Sequence, residues 1–254
     1  MIDLDHVAIA TTDIEAALGT LVGDLGGTIF SGGDGYGFRW VQVRVGEGVE
    51  GMTVELLVEW QPEENDFLAR FLAKHGPGQH HLTFKVSDLA ATLERVRTAG
   101  FQPVGVDLRN PNWKEAFLQP REAHGTVVQL AQVHPDHPGT PEMVKAAEGG
   151  DAFFEPEWWP ALPPRAAEPC RLRRVVMSTP SLPAAVGFFA GLLDGEVVAE
   201  DAASVELAWP GSGRVRLEQH VDARPGFLRL EGERPGTAPE TVDVSGVSLL
   251  LSPG

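Results

Sequence analysis

The feature that most constrains this chain is an internal repeat with an offset of about 75 residues. His6 is followed by VAIATTDIEAAL, and His81 stands one repeat later, before LTFKVSDLAATL. The offset continues downstream, because GMTVELLVE begins at Gly51 and GTVVQLAQ begins at Gly125. Segments that recur at a fixed offset mark repeated supersecondary units. We therefore expect two similar modules in the first half of the chain.

Each module has the pattern of one strand, one helix and three further strands. The opening segments are apolar and β-rich, and Asp13 and Asp88 then occupy positions typical of helix N-caps. Apolar residues at helical spacing follow both caps. The remaining strands are predicted near residues 28–31, 38–45 and 52–60, and near 103–107, 115–119 and 126–132. This pattern predicts an α+β fold built from paired βαβββ modules.

Downstream of residue 132 the composition changes. Prolines interrupt residues 133–170, which we interpret as a Pro-rich linker or arm, and Trp158 and Trp159 are expected to pin it onto a module. The segment after it resembles the first module at an offset of 168, but Arg174 replaces His6. We therefore predict one domain of two modules over residues 1–132 (1–60 and 79–132). Residues 171–254 are predicted to form a degenerate third module with a structural role.

Charge and cysteine content exclude several classes of partner and location. The formal net charge of the 254 residues is −16, so we expect no nucleic-acid or membrane partner, because no basic surplus neutralises phosphates. Cys170 is the only cysteine, so no internal disulfide can form. No signal-peptide pattern and no run of about 20 apolar residues is found. These observations predict a cytoplasmic protein.

Four polar residues in the repeated strands form a candidate metal site. Strand alternation places His6 on a face with small neighbours that would leave a cavity, and His81 has the equivalent position in the second module. Glu55 and Gln129 each stand four residues after a glycine, at a second repeated position. Imidazole nitrogens and side-chain oxygens are suitable ligands for a divalent cation. A single buried polar residue usually satisfies local hydrogen bonds, but coincidence at repeated positions favours a shared metal pocket.

The sequence also resembles a known superfamily. DHVAIATTDIEAAL, GMTVELLVE, HHLTFKVSDLAATL and AFLQPREAHGTVVQL look like the vicinal oxygen chelate superfamily, which includes glyoxalase I, methylmalonyl-CoA epimerase, extradiol dioxygenases and bleomycin-resistance proteins. The resemblance covers residues 1–132 well and 171–220 weakly, and 117–130 look closest to the epimerases. It implies curved mixed β-sheets that enclose a cleft. It also implies a divalent metal ion (zinc, nickel, cobalt, manganese or iron) held by His6, Glu55, His81 and Gln129.

The resemblance implies a glyoxalase-like lyase or isomerase that acts on a small α-carbonyl compound or acyl thioester. The expected reaction is an epimerase-like proton transfer through a metal-stabilised enediolate. Gln129 departs from the pattern, because glyoxalases and epimerases of this superfamily usually have glutamate there, and an amide cannot act as a carboxylate base. We expect the base to be Glu55 or Glu59 on one predicted strand face, with Glu115 and Glu122 as weaker candidates.

Other functions stay open at this point. A lactoylglutathione lyase-type reaction is the nearest alternative, and a ring-cleaving dioxygenase would use iron with two histidines and one carboxylate. The position of the carboxylate disfavours the dioxygenase, because Gln129 stands where its glutamate would be. A non-catalytic small-molecule-binding or bleomycin-resistance-like protein would explain the missing glutamate.

The remaining expectations concern the substrate and the assembly. Lys114 and Arg121 could receive an anionic small-molecule substrate, although ordinary surface charge also explains them. The modules could pair within one chain or across a homodimer.

Overall fold

The protein consists of two mixed β-sheets and a few helices in the computed structural model, which describes residues 1–46, 51–134, 161–211, 213–236 and 238–254. Most of the predicted arm, with Trp158 and Trp159, lies outside these ranges. The described helices are short, and none has the length and apolar composition needed to span a bilayer. The fold class predicted from the repeat is confirmed, because paired βαβββ modules account for the first sheet.

The first sheet has eight strands in the order β2-β3-β4-β1-β5-β8-β7-β6. The first module contains β1 (Ile2–Thr11), α1 (Ile14–Leu18) with a π-helical turn (Gly19–Asp24), β2 (Thr28–Gly35), β3 (Phe38–Val45) and β4 (Met52–Glu59). A connecting helix, α2 (Phe67–His75), was not predicted. The second module contains β5 (Gly78–Val86), α3 (Leu89–Thr98), β6 (Val104–Asp107), β7 (Trp113–Leu118) and β8 (Val127–Val133). The neighbouring strands β1 and β5 join both modules within one chain.

The second sheet has seven strands in the order β10-β11-β12-β9-β13-β15-β14. It begins with β9 (Arg171–Thr179), α4 (Leu182–Val186) with a π-helical turn (Gly187–Leu192), β10 (Glu196–Glu200), β11 (Ser204–Ala208) and β12 (Arg214–Gln219). Three strands that the repeat did not predict follow: β13 (Gly226–Arg234), β14 (Glu240–Val244) and β15 (Val247–Pro253). The pairs β9–β12 and β13–β15 are parallel, whereas β11–β12 and β14–β15 are antiparallel, so this sheet is mixed as well.

The predicted N-caps are confirmed, and they fix where the module helices begin. Asp13 Oδ1 accepts a 2.9 Å hydrogen bond from the Ala16 amide, and Asp88 Oδ1 accepts a 3.0 Å bond from the Ala91 amide. Both caps have extended backbone, as N-cap residues require. Each helix therefore starts at the same place relative to the strand that carries a candidate histidine.

The face of the first sheet opposite His6 and His81 is filled by large apolar side chains. Ile9, Leu82, Phe84 and Leu130 are fully buried. Burial of this face stabilises the module because each large side chain contributes about 1.5–3 kcal/mol on leaving water. It also fixes the register, since a shift of one residue would turn the two histidines toward the core.

Helix α2 corrects one expectation about the histidine-bearing face. The small neighbours of His6 were expected to leave a cavity, but Ala8 and Ala10 instead form a buried cluster with Leu57 and Leu68. Side chains of α2 and β3 pack around this cluster: Phe38, Trp40, Phe67, Phe71 and Leu72. Small strand residues let a helix approach closely, so the same alanines that suggested a void make room for α2.

The described residues divide into two compact units. The first contains residues 1–6, 81–134 and 174–229, and in it the Phe84 ring packs against Phe189 and Trp209. The second contains residues 7–80, 161–173 and 230–254, and in it the Cys170 amide donates to the Leu25 carbonyl at 2.8 Å. The boundaries after His6 and His80 cut continuous strands. The division into domains 1–132 and 171–254 stays a prediction.

Candidate metal centre

His6 lies in the middle of β1 and is almost completely buried. Its Nδ1 is 2.7 Å from Oδ2 of Asp5, and the other Asp5 oxygen is 2.7 Å from Nζ of Lys85. Burial opposes ionisation of Asp5, but the Lys85 charge and the His6 hydrogen bond outweigh it and hold the pKa of Asp5 well below its ordinary value. The Asp5 carboxylate accepts a hydrogen bond from Nδ1, so Nε2 is the His6 nitrogen left to coordinate a cation.

One ligand atom from each of His6, Glu55 and His81 lies within 4.8 Å of the other two. All three side chains are buried, and the two imidazole rings meet edge to face with centroids 5.8 Å apart. Metal–ligand bonds of about 2.0–2.2 Å separate ligand atoms by roughly 3–4 Å, so small side-chain movements would let one cation contact all three. The donor set and the spacing both fit a divalent transition metal.

Gln129 is connected to His6 through the fully buried hydroxyl of Thr83. Thr83 Oγ1 is 2.9 Å from Nε2 of His6 and donates a 2.6 Å hydrogen bond to Oε1 of Gln129. The amide nitrogen of Gln129 donates to Oε2 of Glu115 at 2.7 Å, and that oxygen also accepts from the Trp113 indole at 2.8 Å. The Gln129 oxygen is thus directed toward Thr83 and its nitrogen toward Glu115.

Glu55 has an amide partner on the neighbouring strand. Gln42 stands directly opposite Glu55 in the β3–β4 register, and its Nε2 donates a 3.0 Å hydrogen bond to Glu55 Oε1. Both side chains are buried. Gln42, Thr83 and Asp5 are not among the site residues predicted from the sequence. The sequence signal that could have identified them is that each is a polar strand residue close to a candidate ligand, either along the same strand or on the neighbouring one.

His80 forms a second polar feature next to the aromatic residues of α2. Its ring lies edge-on to Phe67 and Phe71, with centroid distances of 5.6 Å and 4.6 Å. Burial lowers the pKa of His80 to about 4, although the charge of Glu55 acts in the opposite direction. At neutral pH the half-buried His80 imidazole is therefore uncharged.

The other acidic candidates are not part of the cluster formed by His6, Glu55 and His81. Glu59 is exposed at the end of β4, four residues or about 13 Å along the strand from Glu55. Glu122 accepts a 3.2 Å hydrogen bond from the Gln102 amide. Among the weaker candidates, only Glu115 contacts a predicted ligand directly, through Gln129.

Of the two predicted substrate-binding cations, Lys114 is half-buried on β7 and Arg121 is exposed in the following turn. Their role in receiving an anionic substrate stays a prediction.

In the second sheet, Arg174 takes the strand position that His6 has in the first. Its guanidinium pairs with Glu206, which also accepts a 2.9 Å hydrogen bond from Arg214. Across the described ranges, the His6, Glu55 and His81 group is the cluster of His, Cys, Asp or Glu atoms with metal-ligand spacing. In the second sheet, a residue of an ion pair thus occupies the position equivalent to His6.

Comparison with known proteins adds to this geometry. Residues 5–117 match a family model described as "Glyoxalase/Bleomycin resistance protein/Dioxygenase superfamily". The ethylmalonyl-CoA/methylmalonyl-CoA epimerase of Cereibacter sphaeroides is 29% identical over 136 residues, which are 51% of this chain and 97% of that protein.

Two solved structures are also similar. A hypothetical protein from Staphylococcus aureus has a TM-score of 0.68 at 12% identity, covering 100% of this chain and 99% of its own. Methylmalonyl-CoA epimerase from Mycobacterium tuberculosis is 27% identical with a TM-score of 0.46, covering 52% of this chain and 89% of its own. The staphylococcal structure shows that the fold of the whole chain, with both sheets, occurs in another protein.

Proposed function

We propose that this protein is a metal-dependent isomerase that moves a proton beside a thioester carbonyl, because residues 5–117 match the glyoxalase/bleomycin resistance protein/dioxygenase superfamily model. The observation that carries the proposal is the convergence of ligand atoms from His6, Glu55 and His81 within 4.8 Å of one another. Two neutral nitrogens and one carboxylate hold a divalent cation while leaving positions for a substrate.

We propose His6, Glu55 and His81 as the metal ligands and Gln129 as a fourth, weaker oxygen ligand. A divalent cation held there would polarise a carbonyl oxygen and make the neighbouring C–H group more acidic. Asp5 holds His6 in the tautomer that coordinates through Nε2. Gln42 donates to one Glu55 oxygen and so restrains the carboxylate.

Glu55 is the proposed proton acceptor as well as a ligand. A carboxylate has two oxygens, so one can contact a cation while the other accepts a proton. Glu59 is the second candidate, but its exposed position about 13 Å along β4 would require a substrate that reaches the strand end. A base at Glu55 and a base at Glu59 therefore predict different effects of substitution on the same reaction.

We propose a 2-alkylmalonyl thioester as the substrate class, because the epimerase of Cereibacter sphaeroides is named for ethylmalonyl-CoA and methylmalonyl-CoA. Such a substrate carries an acidic C–H group between two carbonyl groups, which a polarising cation and a nearby carboxylate can deprotonate. A cytoplasmic location and a homodimer stay predictions from the sequence.

The test combines metal analysis with proton exchange. Protein purified without added metal is analysed for bound metal, and methylmalonyl-CoA and ethylmalonyl-CoA are incubated with it in deuterium oxide. We expect about one divalent ion per chain and incorporation of deuterium at the α-carbon. Glu55→Gln should lose both, whereas Glu63→Gln, a change at an exposed loop residue, should lose neither.

Two outcomes would contradict this proposal. Full exchange by Glu55→Gln together with loss of exchange by Glu59→Gln would identify Glu59 as the base. Bound metal without exchange on any thioester in the panel would favour the binding-protein alternative. That alternative is supported by Gln129, since an amide replaces the carboxylate expected at that position.

A further inference from the structure

Each module of the first sheet contains one hydrogen-bonded pair of a glutamate and a glutamine, and the order of the two residues is reversed. In the first module the carboxylate of Glu55 is on the last strand, β4, and the amide of Gln42 is on β3. In the second module the amide of Gln129 is on the last strand, β8, and the carboxylate of Glu115 is on β7. The last-strand residue is the proposed ligand in both cases.

The Glu115 carboxylate determines how the Gln129 amide is oriented. An ionised carboxylate only accepts hydrogen bonds, so the Gln129 group that contacts it at 2.7 Å must be the NH₂ group. The carbonyl oxygen is therefore turned to the other side, where the Thr83 hydroxyl donates to it at 2.6 Å. That hydroxyl is also the group next to Nε2 of His6.

Glu115 is itself held in place. The Trp113 indole donates a 2.8 Å hydrogen bond to the same Oε2 atom that receives the Gln129 amide. Glu115 faces Ala131 in the β7–β8 register, so it reaches Gln129 diagonally across the strand pair. Two donors on one oxygen fix the carboxylate, and the carboxylate then fixes the amide.

We infer that Glu115 is a positioning residue that makes Gln129 an oxygen ligand. It does so by excluding the amide orientation in which the NH₂ group takes the place of the oxygen. Without an obligate acceptor at position 115, the Gln129 side chain could present NH₂ toward the histidines, and an NH₂ group does not coordinate a cation. This inference rests on the metal site of the proposed function. It explains how a glutamine serves at a position where related enzymes usually have a carboxylate.

The experiment uses the metal-free protein and Co²⁺ as the probe. Glu115→Gln replaces the acceptor-only group with an amide of the same size that can either donate or accept. We expect Co²⁺ to bind at least about 10-fold more weakly, as for other losses of a group that orients a metal ligand. Glu94→Gln, a change on an exposed face of α3, is the matched control and should bind Co²⁺ like the original protein.

The double variant Glu115→Gln with Gln129→Glu tests whether Co²⁺ affinity can be restored. It places a carboxylate on the last strand and an amide on β7, which is the order of the Glu55–Gln42 pair. We expect Co²⁺ affinity to return to at least the original value, and the visible Co²⁺ spectrum to change because an anionic oxygen replaces a neutral one. Unchanged affinity in Glu115→Gln, or a double variant no better than the single one, would overturn the inference.

A second measurement separates this inference from the metal site on which it rests. In the metal-free protein, the side-chain amide protons of Gln129 should be protected from solvent exchange in NMR spectra, and Glu115→Gln should reduce that protection. If the amide is protected through Glu115 but the original protein takes up no Co²⁺, the proposed metal site fails while the orienting contact stands. If the Glu115 change leaves the protection intact, the positioning role itself is wrong.

Discussion

Nδ1 of His6 lies 2.7 Å from Oδ2 of Asp5, the residue immediately before it in the same strand. Successive strand residues point to opposite faces, so this contact requires the two side chains to bend toward each other. Asp5 is also paired with Lys85 of β5. The carboxylate thereby connects the first candidate histidine to the strand that carries the second.

This contact predicts the effect of Asp5→Asn on metal binding. The amide is neutral and can donate to Nδ1, so the tautomer of His6 that coordinates through Nε2 loses its stabilisation. We expect divalent-metal affinity to fall about 10- to 100-fold while the fold is retained. Calorimetric titration of the metal-free protein measures the change, and Asp34→Asn, at an exposed residue, is the control. Equal affinities would show that Asp5 serves the Lys85 ion pair alone.

Thr83 predicts a stability effect that is independent of metal. Thr83→Val keeps the shape of the side chain but removes the hydroxyl that donates to Gln129. Leaving a buried acceptor without its donor costs about 1–3 kcal/mol, so the free energy of unfolding should fall by that amount in metal-free protein. Thr83→Ser keeps the hydroxyl and should retain more of the stability. Urea unfolding measures both variants, and equal stability of the two would show that the Thr83 hydroxyl does not stabilise the fold.

The environment of Glu206 predicts that the second sheet makes a pH-dependent contribution to the free energy of unfolding. Burial alone would raise its pKa, but the hydrogen bond from Arg214 and the charge of Arg174 outweigh burial and hold the pKa below its ordinary value of 4.5. A pKa lowered by folding stabilises the protein above the unfolded-state value, and this stabilisation is lost as the pH falls through the folded-state value.

The expected difference in unfolding free energy between the original protein and Glu206→Gln is about 1–3 kcal/mol at pH 7, because both arginines lose an ionised partner while remaining partly solvated. The difference should shrink as the pH falls below about 4.5. Urea unfolding at several pH values measures it, with exposed Glu200→Gln as the control. Metal content should be unaffected, and loss of metal would contradict the structural role predicted for this module.

Helix α2 predicts where the histidine-bearing face is most sensitive to cavity formation. Leu68 is fully buried against Ala8, Ala10 and Leu57, and the two alanines cannot fill the space that it would vacate. We expect Leu68→Ala to lower the free energy of unfolding by about 2–5 kcal/mol. Exposed Leu108→Ala should change it by less than about 0.5 kcal/mol. A loss below about 1 kcal/mol for Leu68→Ala would mean that α2 readily adjusts to the smaller side chain.

The repeat in the sequence determined the module order, the two N-caps and the faces on which His6 and His81 lie. These features depend on local spacing: alternation in strands has a period of two, and a cap needs only the backbone amides of the next turn. The equivalent positions of Glu55 and Gln129 also followed from spacing. That all four residues bind one metal stays a prediction.

The tertiary structure alone decided how these positions are used. Helix α2 lies on the face that small residues had suggested was open, and Gln42, Thr83 and Glu115 become partners of the candidate ligands. The three strands after β12 complete the second sheet without any counterpart in the repeat. The sequence determines which face of a strand each side chain occupies. Contacts between strands that are distant in sequence depend on register and packing, which local periodicity does not encode.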